Sequence, residues 1–263
     1  TSGKLTATGN KIETPTGGVH NYGIFCYNSP NTTLVATNNQ IKIGNANQYT
    51  CHGIINQNGL NGNFTITGNS IETGTAVLHN YGIWNLNTGG STSIISNNQI
   101  KLGSAGTNTL GIVNDTSTNI NSTINGNTIE IGTGNTHAYG IFNLGCGNST
   151  YTVNNNTVKG GKANTGNCSS ILFQDSGSIT VTANSNTVEP GTAPGNVYGI
   201  ASINCATSSY TICGNTLSGG TAAGNLRHIS SDYVAVISAT ISNNTITGGT
   251  SGSYYGIGFS SSS

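Results

Sequence analysis

Charge is what this sequence has least of. Asp, Glu, Lys and Arg make up 5% of the 263 residues, and their formal charges sum to zero. Binding to nucleic acid through phosphates needs clustered Lys and Arg, so that class is excluded. A solvated disordered chain is charge-rich, and that class falls with it. No stretch approaches the roughly 18 consecutive apolar residues of a membrane-spanning helix. Methionine is absent and no leader-like segment opens the chain, which reads as a mature or excised product. Strong helix formers are scarce too. Gly, Asn, Thr and Ser dominate, and they favour turns and solvent-facing strand positions.

What is present is a repeat. A motif of Gly, Asn or Ser, then Asn, any residue, and Ile, Val or Leu occurs nine times. Its asparagines are Asn10, Asn39, Asn69, Asn98, Asn127, Asn156, Asn186, Asn215 and Asn244, at intervals of 29 or 30 residues. A second motif, Tyr-Gly-Ile or a variant, keeps phase with it through Ile24, Ile54, Ile83, Ile112, Ile141, Ile171, Ile200, Ile229 and Ile257. Between the motifs apolar residues alternate with polar ones, as in Phe64-Thr65-Ile66-Thr67, the period of a strand with one buried face. Each repeat holds three such segments. Three short strands per turn, stacked on like strands above and below, make a β-solenoid. The expectation is an all-β fold: one right-handed parallel β-helix of nine coils of 29–30 residues over residues 1–263, beginning and ending in mid-coil.

The Asn-Asn-Thr-Ile and Gly-Asn-Thr-Ile motifs, with their following Gly-Ile segments, resemble the parallel β-helix repeats of the pectin-lyase-like superfamily. The resemblance covers the whole chain and concerns fold alone, since that superfamily includes lyases, hydrolases, phage tailspikes and adhesins. It implies that the nine motif asparagines form an Asn ladder at a tight turn. Asn suits that place because it tolerates the left-handed conformation and its amide can bond to the amide above.

Stacking turns sequence positions into columns about 4.8 Å apart. The column three residues after the motif asparagine reads Glu13, Lys42, Glu72, Lys101, Glu130, Lys159 and Glu189, then Ser218 and Thr247. All four glutamates lie in it, so it reads as a charge ladder that fixes register rather than as catalytic acids. The column after the Tyr-Gly-Ile isoleucine reads Phe25, Ile55, Trp84, Val113, Phe142 and Leu172 before turning small. If the isoleucines point inward, alternation points this column outward as an exposed apolar stripe, a candidate lateral binding surface; the alternative is a bend in the strand that makes both residues core. A third pair of columns, with Thr6 and Thr8, Thr65 and Thr67, gives a flat Thr-x-Thr face similar to those of solenoid ice-binding proteins.

Catalytic and metal-ligating sets are harder to assemble. His20, His79 and His137 recur two coils apart, near 10 Å, too far to share one metal ion. Asp115 and Asp232 share a column four coils apart, about 19 Å, beyond the ~5–9.5 Å of paired glycosidase carboxylates. Arg227 and Asp232 read as a surface pair. The six cysteines, Cys26, Cys51, Cys146, Cys168, Cys205 and Cys213, fit no zinc spacing. No two fall in adjacent coils at one register, so mostly free thiols are expected.

The terminal fragments, Thr1 to Thr8 and Asn243 to Ser263, together make one coil length. Unpaired strand edges at such ends favour association, and a heterologous contact that does not close gives a filament. The functional expectation is therefore a non-enzymatic, extracellular or cell-surface structural protein, a filament or fibre subunit or an adhesin stalk. Its partner is itself, head to tail, through Thr1, Leu5, Thr8, Tyr255, Ile257 and Phe259. Carbohydrate or a host surface is a second partner class. No cofactor and no metal are expected. A polysaccharide-degrading enzyme is the alternative and ice binding the third reading.

Overall fold

A computed structural model describes residues 3–261, apart from the side chains of Val236 and Ser261. Every regular element among the described residues is a β-strand. The first coil shows the plan. Lys4–Thr8, Lys11–Thr14 and Gly18–Tyr27 each begin one of three parallel sheets. Sheets A and B, named in that order, contain nine strands each, and sheet C contains twelve, eleven on its main path and Thr250–Ser261 paired beside Thr221–Val234. Strands of one sheet come from successive coils, so the chain is a parallel β-solenoid of nine turns. The spacing of the repeat read from the sequence is the spacing of the fold.

The three inward faces enclose one apolar core that includes Leu34, Phe64, Ile83, Ile112, Val153 and Leu226, each at most 1% exposed. Constant coil length lets each side chain meet its equivalent one coil away. Large aliphatic groups then stack on one another along the axis.

The turn between sheets A and B carries the Asn ladder. Each ladder asparagine donates from Nδ2 to Oδ1 of the next, from Asn10 to Asn39 at 2.8 Å through to Asn215 to Asn244 at 2.8 Å. The same Oδ1 also accepts the backbone N–H of the previous asparagine, as in Asn98 N–H to Asn127 at 3.0 Å. The second Nδ2 hydrogen goes to a backbone carbonyl, Ile95 in the case of Asn127. One detail differs from expectation. The left-handed residue is the one before the ladder asparagine: Gly9, Asn38, Gly68, Asn97, Gly126, Asn155, Ser185, Gly214 and Asn243 have φ between 54° and 68°. The ladder asparagine is needed for its amide, and its neighbour for its backbone.

Sheet C contains a bend that strict alternation does not anticipate. At each Tyr-Gly-Ile the glycine drops out of the pairing register, as between Tyr22↔His52 and Ile24↔Ile54. A Cβ on Gly82 would lie 2.6 Å from the carbonyl oxygen of Gly111 and 2.6 Å from Cγ2 of Ile100. Glycine and isoleucine therefore both face the core, and the flanking residues, such as Tyr81 and Trp84, both face away.

Candidate functional site

The expected apolar stripe is closed over. Phe25 is exposed at 44%, but Ile55, Val113, Phe142 and Leu172 are between 1% and 8% exposed, and Trp84 is half-buried. The bend places the column beside the Tyr22, His52, Tyr81, Leu110, Tyr139 column on one side of the sheet, and the two pack into a second apolar layer. Their rings stack: Tyr22 on Phe25 at 4.9 Å, His52 on Tyr81 at 4.8 Å and Tyr81 on Trp84 at 4.5 Å between centroids. Small Val113 sits in register between the larger Trp84 and Phe142. Neighbours in the stack, rather than water, take up most of this surface.

His52 enters that layer, and the exposed His20 lies at its edge. Thr50 Oγ1 lies 2.7 Å from His20 Nδ1 and 2.8 Å from His52 Nε2, a hydroxyl bridging two imidazoles. Burial lowers the His52 pKa to about 3, with the neighbouring His20 and His79 adding to the effect, so the ring is neutral at ordinary pH. Burial also lowers His79 and His137. Among the described residues no group of three or more His, Cys, Asp or Glu is placed to hold a metal ion.

The charge ladder is in register throughout: Glu13↔Lys42, Lys42↔Glu72, Glu72↔Lys101, Lys101↔Glu130, Glu130↔Lys159 and Lys159↔Glu189 are Cα partners. All seven side chains are exposed. Yet the ion pairs within contact distance among the described residues are Lys11 with Glu13, 3.0 Å apart on one strand, and Arg227 with Asp232. Neighbouring rungs carry opposite charge without closing into pairs. Solvated side chains gain little from holding such a contact.

Arg227 and Asp232 correct a second expectation, since Asp232 is only 3% exposed. Its Oδ2 accepts from Arg227 Nη1, and Ser260 donates to Oδ1 at 3.1 Å. The guanidinium lies 5.1 Å from the centre of the Tyr255 ring. The eighth coil thus places a buried, hydrogen-bonded carboxylate in a column whose earlier members alternate between polar and apolar side chains. Asp115 and Asp232 do share one column, through Leu144, Gln174 and Ile203. All six cysteines are free thiols and five are buried. Burial pushes the Cys168 thiol up to about 11, which suppresses the thiolate.

The outward face of sheet A is in step. Thr6, Val35, Thr65, Ile94, Thr123, Thr152, Thr182, Thr211 and Thr240 are successive partners without a register shift. Two columns on, Thr8 and Thr37 bond at 2.9 Å, and Thr67 and Ser96 at 3.1 Å. Asn154 and Asn184 instead turn back to accept from backbone N–H groups at 2.9 and 3.0 Å.

The expected end residues stand at the rims of the stack. Leu5, Tyr255, Ile257 and Phe259 are 38%, 44%, 52% and 46% exposed, and Thr8 is exposed. Thr1 lies outside the described residues. One feature escaped sequence reading. Asn56, Asn85, Asn114 and Asn143 form a buried inner column, with bonds of 3.0 Å from Asn85 to Asn114 and 2.8 Å from Asn114 to Asn143. Its signal was the Asn two residues after each Gly-Ile isoleucine in four successive coils.

These surfaces define the class: a parallel β-solenoid built on an Asn ladder. No family model, no curated protein and no solved structure matches the chain.

Proposed function

We propose that the chain is a non-enzymatic structural protein of the cell exterior, a segment of a stiff rod that grows by adding parallel coils end to end. The observation that supports this most is the polarity of the Asn ladder. Every amide donates toward the higher-numbered coil. Among the described residues nothing donates to Asn10 Oδ1, and Asn244 keeps its N–H and one Nδ2 hydrogen beyond its bond to Ile212. Asn244 of one copy therefore matches Asn10 of the next, donor to acceptor. Apolar groups match as well: Ile257 and Phe259 at one rim need cover, and so does Leu5 at the other. Gly258 leaves space in the column that Phe25 would continue. A further coil of the same chain would meet the same groups. Sheet edges left unpaired are a standing invitation to another strand, which supports the reading.

The test is to follow the mass and length of the purified chain with concentration, by light scattering and negative-stain imaging. Particles should lengthen in steps of about 43 Å per nine coils. Leu5→Lys with Ile257→Lys should shorten them while circular dichroism stays β-dominated. A chain that remains monomeric at every concentration overturns the proposal. The catalytic alternative is tested by polysaccharide digestion, where turnover abolished by Asp232→Asn would replace the structural reading.

Ice binding has one observation in its favour, the in-step, largely threonine face of sheet A. The turned-back amides of Asn154 and Asn184 break that array in the later coils. Ice-recrystallisation inhibition that is lost in Thr65→Lys would support it.

A further inference from the structure

The alternating ladder on sheet B is complementary to itself, and we infer that it is a lateral docking face for a second copy of this chain, laid antiparallel against the first. Three observations carry this. All seven charged side chains are exposed on one straight column, with the coils in unbroken register. None of them closes into an ion pair with the rung above or below among the described residues. The neighbouring outward column is uncharged from Gln40 on, through Ser70, Gln99 and Thr128, so beyond Lys11, which pairs with Glu13 in the first coil, no charge beside the ladder blurs its pattern. Glu72, Lys101 and Glu130 line a shallow trough of about 260 Å³ that can admit side chains from a facing rod.

The order of signs selects the geometry. The ladder runs Glu, Lys, Glu, Lys, Glu, Lys, Glu. Two rods facing each other in parallel and in register would oppose like charges at every rung. An antiparallel pair whose two-fold axis passes between Glu72 and Lys101 opposes unlike charges instead. Glu13 then faces Lys159, Lys42 faces Glu130 and Glu72 faces Lys101, each pair occurring twice. Such an isologous contact closes on two copies. The face is two residues wide, so the contact is smaller than a standard interface, and the pairing is weak and salt-labile. It does not depend on the ends of the rod.

The experiment uses the full chain carrying Leu5→Lys and Ile257→Lys as the parent, so that end-to-end growth is blocked, in sedimentation velocity at low ionic strength and in about 1 M salt, where the screening length falls to about 3 Å. The parent should dimerise at low salt, with a dissociation constant at least about tenfold weaker at high salt. One variant carries Lys42→Glu, Lys101→Glu and Lys159→Glu. Another carries Glu13→Lys, Glu72→Lys, Glu130→Lys and Glu189→Lys. Each alone should be monomeric, and mixing the two should restore a salt-labile pair tighter than the parent. Circular dichroism of each variant shows that the solenoid persists. If the mixture fails to pair, or either variant pairs as the parent does, the face is not the contact.

Spin labels read the orientation. At Gln99 the two labels of an antiparallel pair stand about one coil apart along the axis, and at Thr187 about seven coils, ~34 Å. Short distances at both sites would mean parallel, one-coil-offset rods and would overturn the antiparallel assignment.

Discussion

Replacing Asn127 by Ala removes the middle rung of the outer Asn ladder. Its Oδ1 accepts the Asn98 N–H at 3.0 Å and the Asn98 Nδ2 at 2.9 Å. Its Nδ2 serves the Ile95 carbonyl at 2.9 Å and Asn156 Oδ1 at 3.0 Å. Asn98, Asn127 and Asn156 are each 1% exposed, so water cannot replace what is lost. Two buried donors left without acceptors cost about 1–3 kcal/mol each, or roughly 2–6 kcal/mol in all. That is a large part of the ~5–15 kcal/mol that holds a typical domain folded. Urea unfolding followed by circular dichroism reads the loss as a lower midpoint. Broadening of the transition would show that the two halves of the rod have begun to unfold separately.

Asn127→Asp makes the reasoning sharper. The carboxylate keeps acceptors for Asn98 but sets negative oxygen against Ile95 O and Asn156 Oδ1. Its folded pKa must therefore rise above the unfolded value near ~3.9. The folded state then binds more protons than the unfolded one, so stability falls as the pH rises from the unfolded pKa toward the folded pKa. The fall is about 1.4 kcal/mol for each pH unit that separates the two values. An Ala variant within about 1 kcal/mol of the parent, or an Asp variant whose deficit is the same at pH ~4 and pH ~7, would refute this account of the ladder.

Other perturbations have equally definite outcomes. Lys101→Glu places three glutamates in successive rungs and should lower stability by under about 1 kcal/mol, with the deficit shrinking in salt. Gly82→Ala drives a methyl into Gly111 and Ile100 and should cost about 1–3 kcal/mol by thermal melting; an unchanged Tm would show that sheet C has room at its bend. His52 is neutral in the fold and protonates more readily unfolded, so stability should fall on acidifying from pH ~6.5 to ~5, by roughly 2 kcal/mol from this group. His52→Phe should flatten that part of the profile, and an unaltered profile would place the acid sensitivity elsewhere.

The coil plan was legible in the sequence because length is constant from coil to coil. Each of Asn10 to Asn244 falls at the same point of a 29- or 30-residue cycle, and a solenoid converts equal length into alignment. The facing of sheet C was only half legible. Alternation sent Phe142 outward correctly, but it gave no hint that the bend at Gly140 would send Tyr139 to the same side and bury both. Likewise, column arithmetic put Lys101 between Glu72 and Glu130, while contact depends on rotamers of exposed chains that no spacing dictates. Asp232 is the clearest case of missing context: Ser260 of the next coil donates to its carboxylate and Tyr255 covers its partner Arg227, both nearly a full repeat away.

The charge ladder also sets a rule for changing the length of the rod. The Asn ladder, the Gly-Ile bends and the core accept the loss or gain of any one coil, because each meets its own kind on either side. The ladder of Glu and Lys does not. Excising the coil that holds Lys101 would bring Glu72 against Glu130, whereas excising two neighbouring coils restores the opposition. Insertions and deletions within coils one to seven are therefore easiest in twos, and a series of shortened chains should alternate in salt sensitivity between odd and even removals.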